Sequence, residues 1–565
     1  MFDHDFEDFK RGVGAHAPEE SWRGGRANTA DVTTGTQYAY YTATDTKDDP
    51  CTTGTTEAYK QAGMIKLKTE ADPDGAGAQI PRTTETIYDD AGRVVATRYN
   101  ADAWTCTTYD TRGRVTQVSI PAFNGAAART VTNNWAVSSN PLVISSSDSN
   151  GTITTTSDLL GRTTSYTDAN GKTTTTSYDA LGRVSSRTSP LGTEDFGYDN
   201  YNRLTSQKLD SIVIATPSYD TYGRLSGVTY PTAGSQALAI TRDSLGRTTG
   251  MDYTLGNGTT HLTDTVTRSQ SGQIISGTEL GASKSYTYDK AGRLTSATIG
   301  ANTYGFSFAA PSGTTCNQSS ANLNSHKNSN RTSFTKNGVT TTYCYDQPDR
   351  LIASSDASVT SPVYDSHGNT TSIGTSPVTT FTYDSSDRNT TITEGTKSSA
   401  LTRDVQGRVI TRVYVKGTTT TNKYAFTGAE DSPDALLDSS GNVVEKYLQL
   451  PGGTLLTKRT STSTFSLVNC HGDVMATTDA SGANQTSFTY DPFGNPSSAM
   501  PTNTATGSTF GWVGQHEKDT ETAFTLQPTE MGARVYLASI GSKWPSCPRR
   551  QVWIMSSLAA CLTDC

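Results

Sequence analysis

The stretch Tyr178-Asp179-Ala180-Leu181-Gly182-Arg183-Val184 decides the fold, because the chain keeps repeating it. Clean copies run from Tyr88-Asp89 to Gly92-Arg93-Val94, Tyr109-Asp110 to Gly113-Arg114-Val115, Tyr219-Asp220 to Gly223-Arg224-Leu225, and Tyr288-Asp289 to Gly292-Arg293-Leu294. Degenerate copies keep part of the phrase: Asp158 with Gly161-Arg162, Tyr198-Asp199 with Asn202-Arg203, Asp243 with Gly246-Arg247, and Tyr345-Asp346 with Asp349-Arg350. Tyr364-Asp365 with Gly368-Asn369, Tyr383-Asp384 with Asp387-Arg388, and Asp404 with Gly407-Arg408 extend the series. From Asp158 to Asp243 the steps are 21, 20, 21 and 23 residues, and from Asp346 to Asp404 they are 19, 19 and 20. A fixed period of this length is the signature of a repeat architecture.

The phrase has a physical reading. Asp at its first turn position and Gly at the fourth suit a type I β-turn, with the carboxylate accepting backbone N–H groups two residues on. The flanks read as strands: Thr173 to Tyr178 enters a turn, and Val409-Ile410-Thr411-Arg412-Val413-Tyr414-Val415 leaves one with β-branched residues alternating by face. A single hairpin cannot bury a face alone, so neighbours must stack, which sets Asp over Asp. Each Arg after the Gly then either neutralises this row and lies against the next Tyr ring, or simply keeps a strand edge soluble. Gly182 and Gly223 are expected to resist substitution, and Gly300, outside the motif, to tolerate it better.

Composition points the same way. Of 565 residues 33% are hydrophobic and 18% charged, with 50 Gly, 27 Tyr and 15 Phe. Roughly one residue in six is Thr, far above ordinary usage. Thr, Ser, Gly and Asn are poor in helix interiors, which argues against a bundle. No run approaches the ~18 apolar residues of a membrane span, and a net charge of -8 argues against a nucleic-acid binder. Low apolar content also marks disorder, but the aromatic content and the repeats oppose it. An all-β fold of stacked hairpins is expected.

On these repeats the chain resembles the Rhs, or YD-repeat, proteins of bacteria, whose eukaryotic relatives include the teneurins. A second region carries the likeness further. Tyr490-Asp491-Pro492-Phe493-Gly494-Asn495 resembles the family's Y-D-P-F-G box. Gly511 to Thr522 resembles its F-x-G-Q-x-x-D-x-E-T segment through Gly514, Gln515, Asp519 and Glu521, and Met531 to Leu537 resembles G-A-R-x-Y through Arg534 and Tyr536. These define an Rhs repeat-associated core. The chain is thus divided into an irregular segment at 1–79 with room for degenerate repeats, a repeat array at 80–419, a core at 420–541 and an atypical tail at 542–565.

The resemblance implies a role. Family members wind the repeats into one sheet that spirals into a hollow shell, close one end with the core, and hold a C-terminal segment, often a toxin, inside. The implied partners are a C-terminal toxin cargo and secretion machinery in a longer, secreted or cell-surface parent. In members that cut themselves, carboxylates beyond G-A-R-x-Y serve an aspartyl-type autoproteolysis. Here no Asp-Pro pair follows Tyr536, and the tail, Gly541-Ser542-Lys543-Trp544-Pro545-Ser546-Cys547-Pro548 onward, is rich in Cys and Trp. A frame change or a truncated gene explains this better than a divergent end. Met1 to Glu20 has no basic start followed by an apolar stretch, so it is not a signal peptide. The chain therefore reads as a non-enzymatic fragment of a larger shell. The competing readings are a binder of cell-surface or cell-wall carbohydrate, through its exposed Tyr and Trp, and a residual autoprotease.

Other constellations are weak. No C-x-x-C pair exists to hold zinc. Cys51 with Cys106, and Cys316 with Cys344, suit either disulfides of a secreted shell or buried thiols. His516-Glu517 lacks the second histidine of a zincin. Asp148-Ser149-Asn150-Gly151 and Asp168-Ala169-Asn170-Gly171 lack the closing Glu of a calcium loop and read as turns. Asp431 and Asp434 sit in a Ser-Pro loop. No metal or cofactor site is expected.

Overall fold

The computed structural model describes residues 35–544, apart from 55, 76, 232–233, 312, 484, 498–509, 515–519 and 532–533. Expectations for 1–34, for Gln515 and Asp519, for His516-Glu517 and for the tail from 545 fall outside the described residues. The fold is all-β. Among the described residues, helical geometry is confined to short 3-10 turns such as Val137–Ser139 and Ser325–Asn328.

Two antiparallel sheets make up most of the chain. The first has 26 strands and begins with Gln37–Tyr40 paired to Ile65–Thr69. From there it runs as an unbroken meander to Val339–Tyr345 and Leu351–Ser354, each strand pairing with its neighbour in sequence. The second has 13 strands, from Val363–Tyr364 to Thr486–Ser487, again in sequence order. Its strands Val409–Lys416 and Thr418–Ala425 pair without a break across residues 419 and 420, where the sequence divides array from core. Thr529–Met531, Arg534–Leu537 and Ser542–Trp544 form a small third sheet.

The second sheet lies along one edge of the first. Nη1 of Arg82 donates to the His367 carbonyl, Nδ2 of Asn150 to the Arg403 carbonyl, and Oη of Tyr230 to the Pro451 carbonyl. Farther along, Nδ2 of Asn469 donates to Glu279. The separation of the partners falls from 285 residues through 253 and 221 to 190. Over the arc from Arg82 to Glu279, the second winding therefore advances about half as many residues as the first. That agrees with its 13 strands against 26 and makes the spiral tighten.

Threonine explains how a sheet this long stays soluble. On the exposed face, hydroxyls pair across strands, as in Thr167 with Thr173 at 2.9 Å, Thr265 with Thr278 at 2.7 Å and Thr335 with Thr340 at 2.8 Å. Thr has the β-branched shape that a pleated strand favours and a polar tip for water. The apolar side chains gather on the other face, and most of the buried ones belong to the junction of the windings. There Leu191, Leu209, Tyr230 and Tyr253 of the first meet Leu437, Leu448, Phe465 and Met475 of the second. Side chains of the core enter the space between: Phe488, Trp512 and Tyr536 join that cluster, Phe510 joins Ile153 and Ile410, Phe493 joins Phe306, and Phe524 joins Ile373. The disulfides Cys51–Cys106 and Cys316–Cys344 tie neighbouring elements, and Cys470 is buried.

One expectation is corrected here. Gly300 lies outside the Tyr-Asp motif, yet its φ is +57°, so it is no neutral control. It turns the tight hairpin between Leu294–Ile299 and Asn302–Ser307, which needs the left-handed region as the motif glycines do. Gly305 serves instead: its φ is not positive, and an added Cβ would meet only Thr335 at an ordinary 3.6 Å. Gly182→Val or Gly223→Val, at φ +81° and +79°, should each cost about 1–3 kcal/mol. Gly305→Ala should be neutral or slightly stabilising. Urea midpoints of the three variants measure this, and equal losses at all three would contradict it.

Candidate functional site

The repeated turn is the unit from which every site residue is placed. In the clean copy at Asp89, Gly92 N–H donates to the Asp89 carbonyl and Asp89 N–H to the Arg93 carbonyl, both at 2.9 Å. Oδ1 of Asp89 accepts the N–H groups of Ala91 and Arg93, while Oδ2 accepts Nε of Arg93 at 2.7 Å. This is a type I turn closed by a left-handed bulge residue, which explains why the fourth place is Gly. Degenerate copies put Asn202, Asp349 and Asp387 there, at φ 64°, 64° and 60°. Asn and Asp are the side chains that tolerate this region best. The same bonds recur at Asp110 with Arg114, Asp179 with Arg183, Asp220 with Arg224 and Asp289 with Arg293.

Each turn is bonded to the next. The guanidinium of Arg93 lies 4.6 Å from the ring of Tyr109, that of Arg183 4.6 Å from Tyr198, and that of Arg203 4.9 Å from Tyr219. The tyrosine hydroxyl then reaches back: Tyr109 donates to the Val94 carbonyl, Tyr178 to Thr163, Tyr219 to Leu204 and Tyr288 to Ile274. These carbonyls lie where pairing between units stops short of the turn. Thus Ser165↔Thr175 is the last paired position before Thr163 and Tyr178. The tyrosine supplies the hydrogen bond that the missing ladder rung would have made. Where the residue before the turn is Arg, the job is unchanged: Arg242 donates to the Leu225 carbonyl, Arg268 to Thr248 and Arg403 to Asn389. The device also spans the gap between the sheets, where Arg350 lies 4.7 Å from the Tyr364 ring and Tyr364 Oη donates to the Leu351 carbonyl.

The second winding uses the same turns in a buried setting. Asp404 and Arg408 are 0% and 2% exposed, and Arg408 adds bonds to Tyr166 Oη and the Gly428 carbonyl. Asp168, read from the sequence as a turn, spends Oδ1 on Asn170 and Lys172 N–H and Oδ2 on Phe426 N–H of the second winding. Asp434 accepts Thr427 N–H.

The core box proves to be a repeat turn with altered chemistry. Gly494 N–H donates to the Asp491 carbonyl, Phe493 and Asn495 N–H donate to Oδ1, and Nδ2 of Asn495 donates to Oδ2 at 2.8 Å, in the place of the arginine. Burial raises the Asp491 carboxyl above its ordinary value against these bonds. Gly494 sits at φ +92° with Trp512 where a Cβ would be, Pro492 lines the cavity beneath, and Gly514 packs against Val474. Tyr536 donates to the Phe493 carbonyl and stacks on Trp512 at 4.9 Å. Glu521, 1% exposed, binds Ser399 and pairs with Arg412 at 3.3 Å. Arg534 opens the strand Arg534–Leu537.

Under the box lies a turn that sequence reading missed. Asn469-Cys470-His471-Gly472-Asp473 makes every backbone bond of the repeat turn, with Asn in the Asp place and Asp in the Arg place. The only surviving signal is Gly472, 19 residues after Gly453 of another such turn. Its side chains belong to a buried charge cluster. Lys284 bonds Asp264 and Glu279, Asn469 bridges Glu279 and Asp473, and His471 Nδ1 lies 3.0 Å from Asp473. Asp264 is 0% exposed. Burial pushes the Glu279 carboxyl up, the two acids beside Lys284 hold its ammonium charged, and Asp473 raises His471 against the pull of burial.

With this geometry in hand, comparison with known proteins places the chain. Residues 158–194 match the family described as RHS Repeat, so the chain carries an RHS repeat there. Among solved structures it is similar to the crystal structure of TcdB2-TccC3 without its hypervariable C-terminal region, at 15% identity and a TM-score of 0.62 over 86% of this chain. TcdB2-TccC3-Cdc42 gives 14% and 0.62, and the Photorhabdus luminescens Tc holotoxin pore, with mutation D651A in TccC3, gives 14% and 0.53 over 87%. The chain spans 27% of the length of the first two solved chains and 29% of the third. At these identities the likeness is one of fold: the stacked hairpins form the RHS shell architecture. No curated protein matches in sequence.

The buried carboxyls make stability depend on pH. Burial raises Asp346, Asp349 and Asp434 to about 6. Folding thus favours their protonated forms, and their contribution is lost as pH rises from the unfolded value to about 6. His367, between Asp387 and Asp102, and His471 are also raised, so their contribution is present at low pH and lost as pH rises through their folded values. Turn carboxylates such as Asp110, Asp199 and Asp220 are lowered, first by the N–H of the following arginine, and lose their contribution in acid. The thermal midpoint should therefore be higher near pH 5.5 than near pH 7.5 and fall below about pH 4. Asp349→Asn should reduce the difference between the two higher values.

Proposed function

We propose that the chain is a non-enzymatic part of an RHS-type toxin shell, whose parent encloses a C-terminal effector and takes part in its delivery outside the producing cell. The observation that supports this most is the tightening second winding, its junction filled by core side chains such as Phe488, Trp512, Phe524 and Tyr536: a sheet that narrows and is plugged suits a container. The likeness to TcdB2-TccC3 supports the same reading. No helix of the described residues is long and apolar enough to cross a membrane.

Two outcomes follow. A small reporter domain fused after Cys565 should resist added protease while the shell is intact. It should become sensitive when Arg408→Ala breaks the contact between windings; equal cleavage in both proteins would count against enclosure. The unfused chain should remain one full-length band during incubation near pH 7, because each Asp491 oxygen is held by hydrogen bonds within its turn. A fragment pair that persists with protease inhibitors and vanishes in Asp491→Asn would show self-cleavage instead.

A further inference from the structure

We propose that the cavity beneath the Tyr490 to Asn495 turn binds a compact organic cation: an ammonium or guanidinium group on a short alkyl stem. The site is assembled from both windings and the core. Its volume is about 110 Å³. Its lining combines the rings of Phe493 and Trp512 with Glu279, Asp473 and Tyr490, and with the cationic Lys284 and His471.

Three features select the ligand. The first is an unmade bond. Tyr490 Oη is buried and has no hydrogen-bond partner among the described residues, although the tyrosine is 7% exposed and lines the cavity. Native interiors rarely leave such a group unsatisfied, and a ligand N–H would satisfy it. The second is charge. Among the described residues, Asp264, Glu279 and Asp473 are answered by Lys284, which already bonds the first two, and by His471. A cation near Glu279 and Asp473 offsets that excess, whereas an anion would add to it. The third is the aromatic part of the lining, since aromatic rings attract cations, more strongly when water is excluded. Size then bounds the group. A dry cavity of about 150 Å³ accepts benzene, so this one takes about four or five non-hydrogen atoms.

The test uses the full chain near neutral pH, with propylammonium chloride as probe and propanol as its uncharged counterpart, followed by ligand-observed NMR titration. Propylammonium should bind saturably with a Kd of about 1 mM or below, and propanol at least about tenfold more weakly. Tyr490→Phe should weaken propylammonium about tenfold while leaving the thermal midpoint in place, since the lost hydroxyl has no partner among the described residues. Asp473→Asn should weaken it further; should that variant not fold, Tyr490→Phe still decides. Two peptides, Gly-Lys-Gly and Gly-Gln-Gly with blocked ends, separate the sources. Binding of the lysine peptide alone points to a polypeptide side chain, and binding of propylammonium but neither peptide to a free amine. Either supports the site. No saturable binding, equal binding of propanol, or unchanged affinity in Tyr490→Phe would overturn it.

Discussion

The carboxylate at the head of each repeat turn is the group on which the rest depends. One oxygen of Asp89 or Asp179 fixes the turn by accepting two backbone N–H groups, and the other fixes the arginine four residues on. That arginine, held in one rotamer, becomes a platform for the next tyrosine, whose hydroxyl completes the hydrogen bonding of the strand behind it. An exposed ion pair contributes little by itself. Its value here is geometric, because it makes each turn the template for its neighbour.

A nearest-neighbour device of this kind explains how so little apolar material suffices. Thermodynamics of repeat arrays is a sum of unit and interface terms, so every hairpin need only be stabilised against the two beside it. Between windings the demand differs. There the turns are taken out of water, and their chemistry changes with the surroundings. Arg408 finds a phenol and a second carbonyl, Asn495 replaces an arginine beside buried Asp491, and Asn469 with Asp473 inverts the pattern beside Lys284 and Glu279. Each exchange keeps the backbone bonds and adjusts the charge, since a buried unpaired ion is far costlier than a buried amide.

This division also decides what the sequence could reveal. Many exposed turns carry the whole phrase, so Tyr109-Asp110 and Tyr219-Asp220 were legible and the all-β hairpin array followed. Turns held from several sides can lose the phrase, as Leu450 with Thr454 and Asn469 with Asp473 do, and the exposed turn from Ser269 to Gln273 keeps its shape through Ser269 Oγ and Gln273 instead. Arginines standing where tyrosine belongs, at 242, 268 and 403, hid the same function under another residue type. The Y-D-P-F-G box was visible, and its Asn495 in the arginine place matches Asn369 of the array; what was not visible is that its turn is buried over the cluster of Lys284 and Glu279. The cavity and its cluster draw on residues as distant as 264 and 512, and no local pattern could bring those together.

The tightening of the spiral is the remaining consequence. Strands of the two windings are similar in length, so halving their number over the same arc must halve the path around the axis. A sheet can curve more sharply only if its inner face carries less bulk or its edge finds other support. The second winding has that support: its turns rest on the edge of the first through Asn150, Asn170 and Tyr230, and Phe488, Trp512 and Tyr536 pack between them. Curvature, plug and buried turns are therefore one solution rather than three. A wide winding can be built from exposed repeats alone. A narrow one brings its turns into contact with protein on all sides, and there the repeat phrase gives way to side chains chosen for a dry, charge-balanced interior.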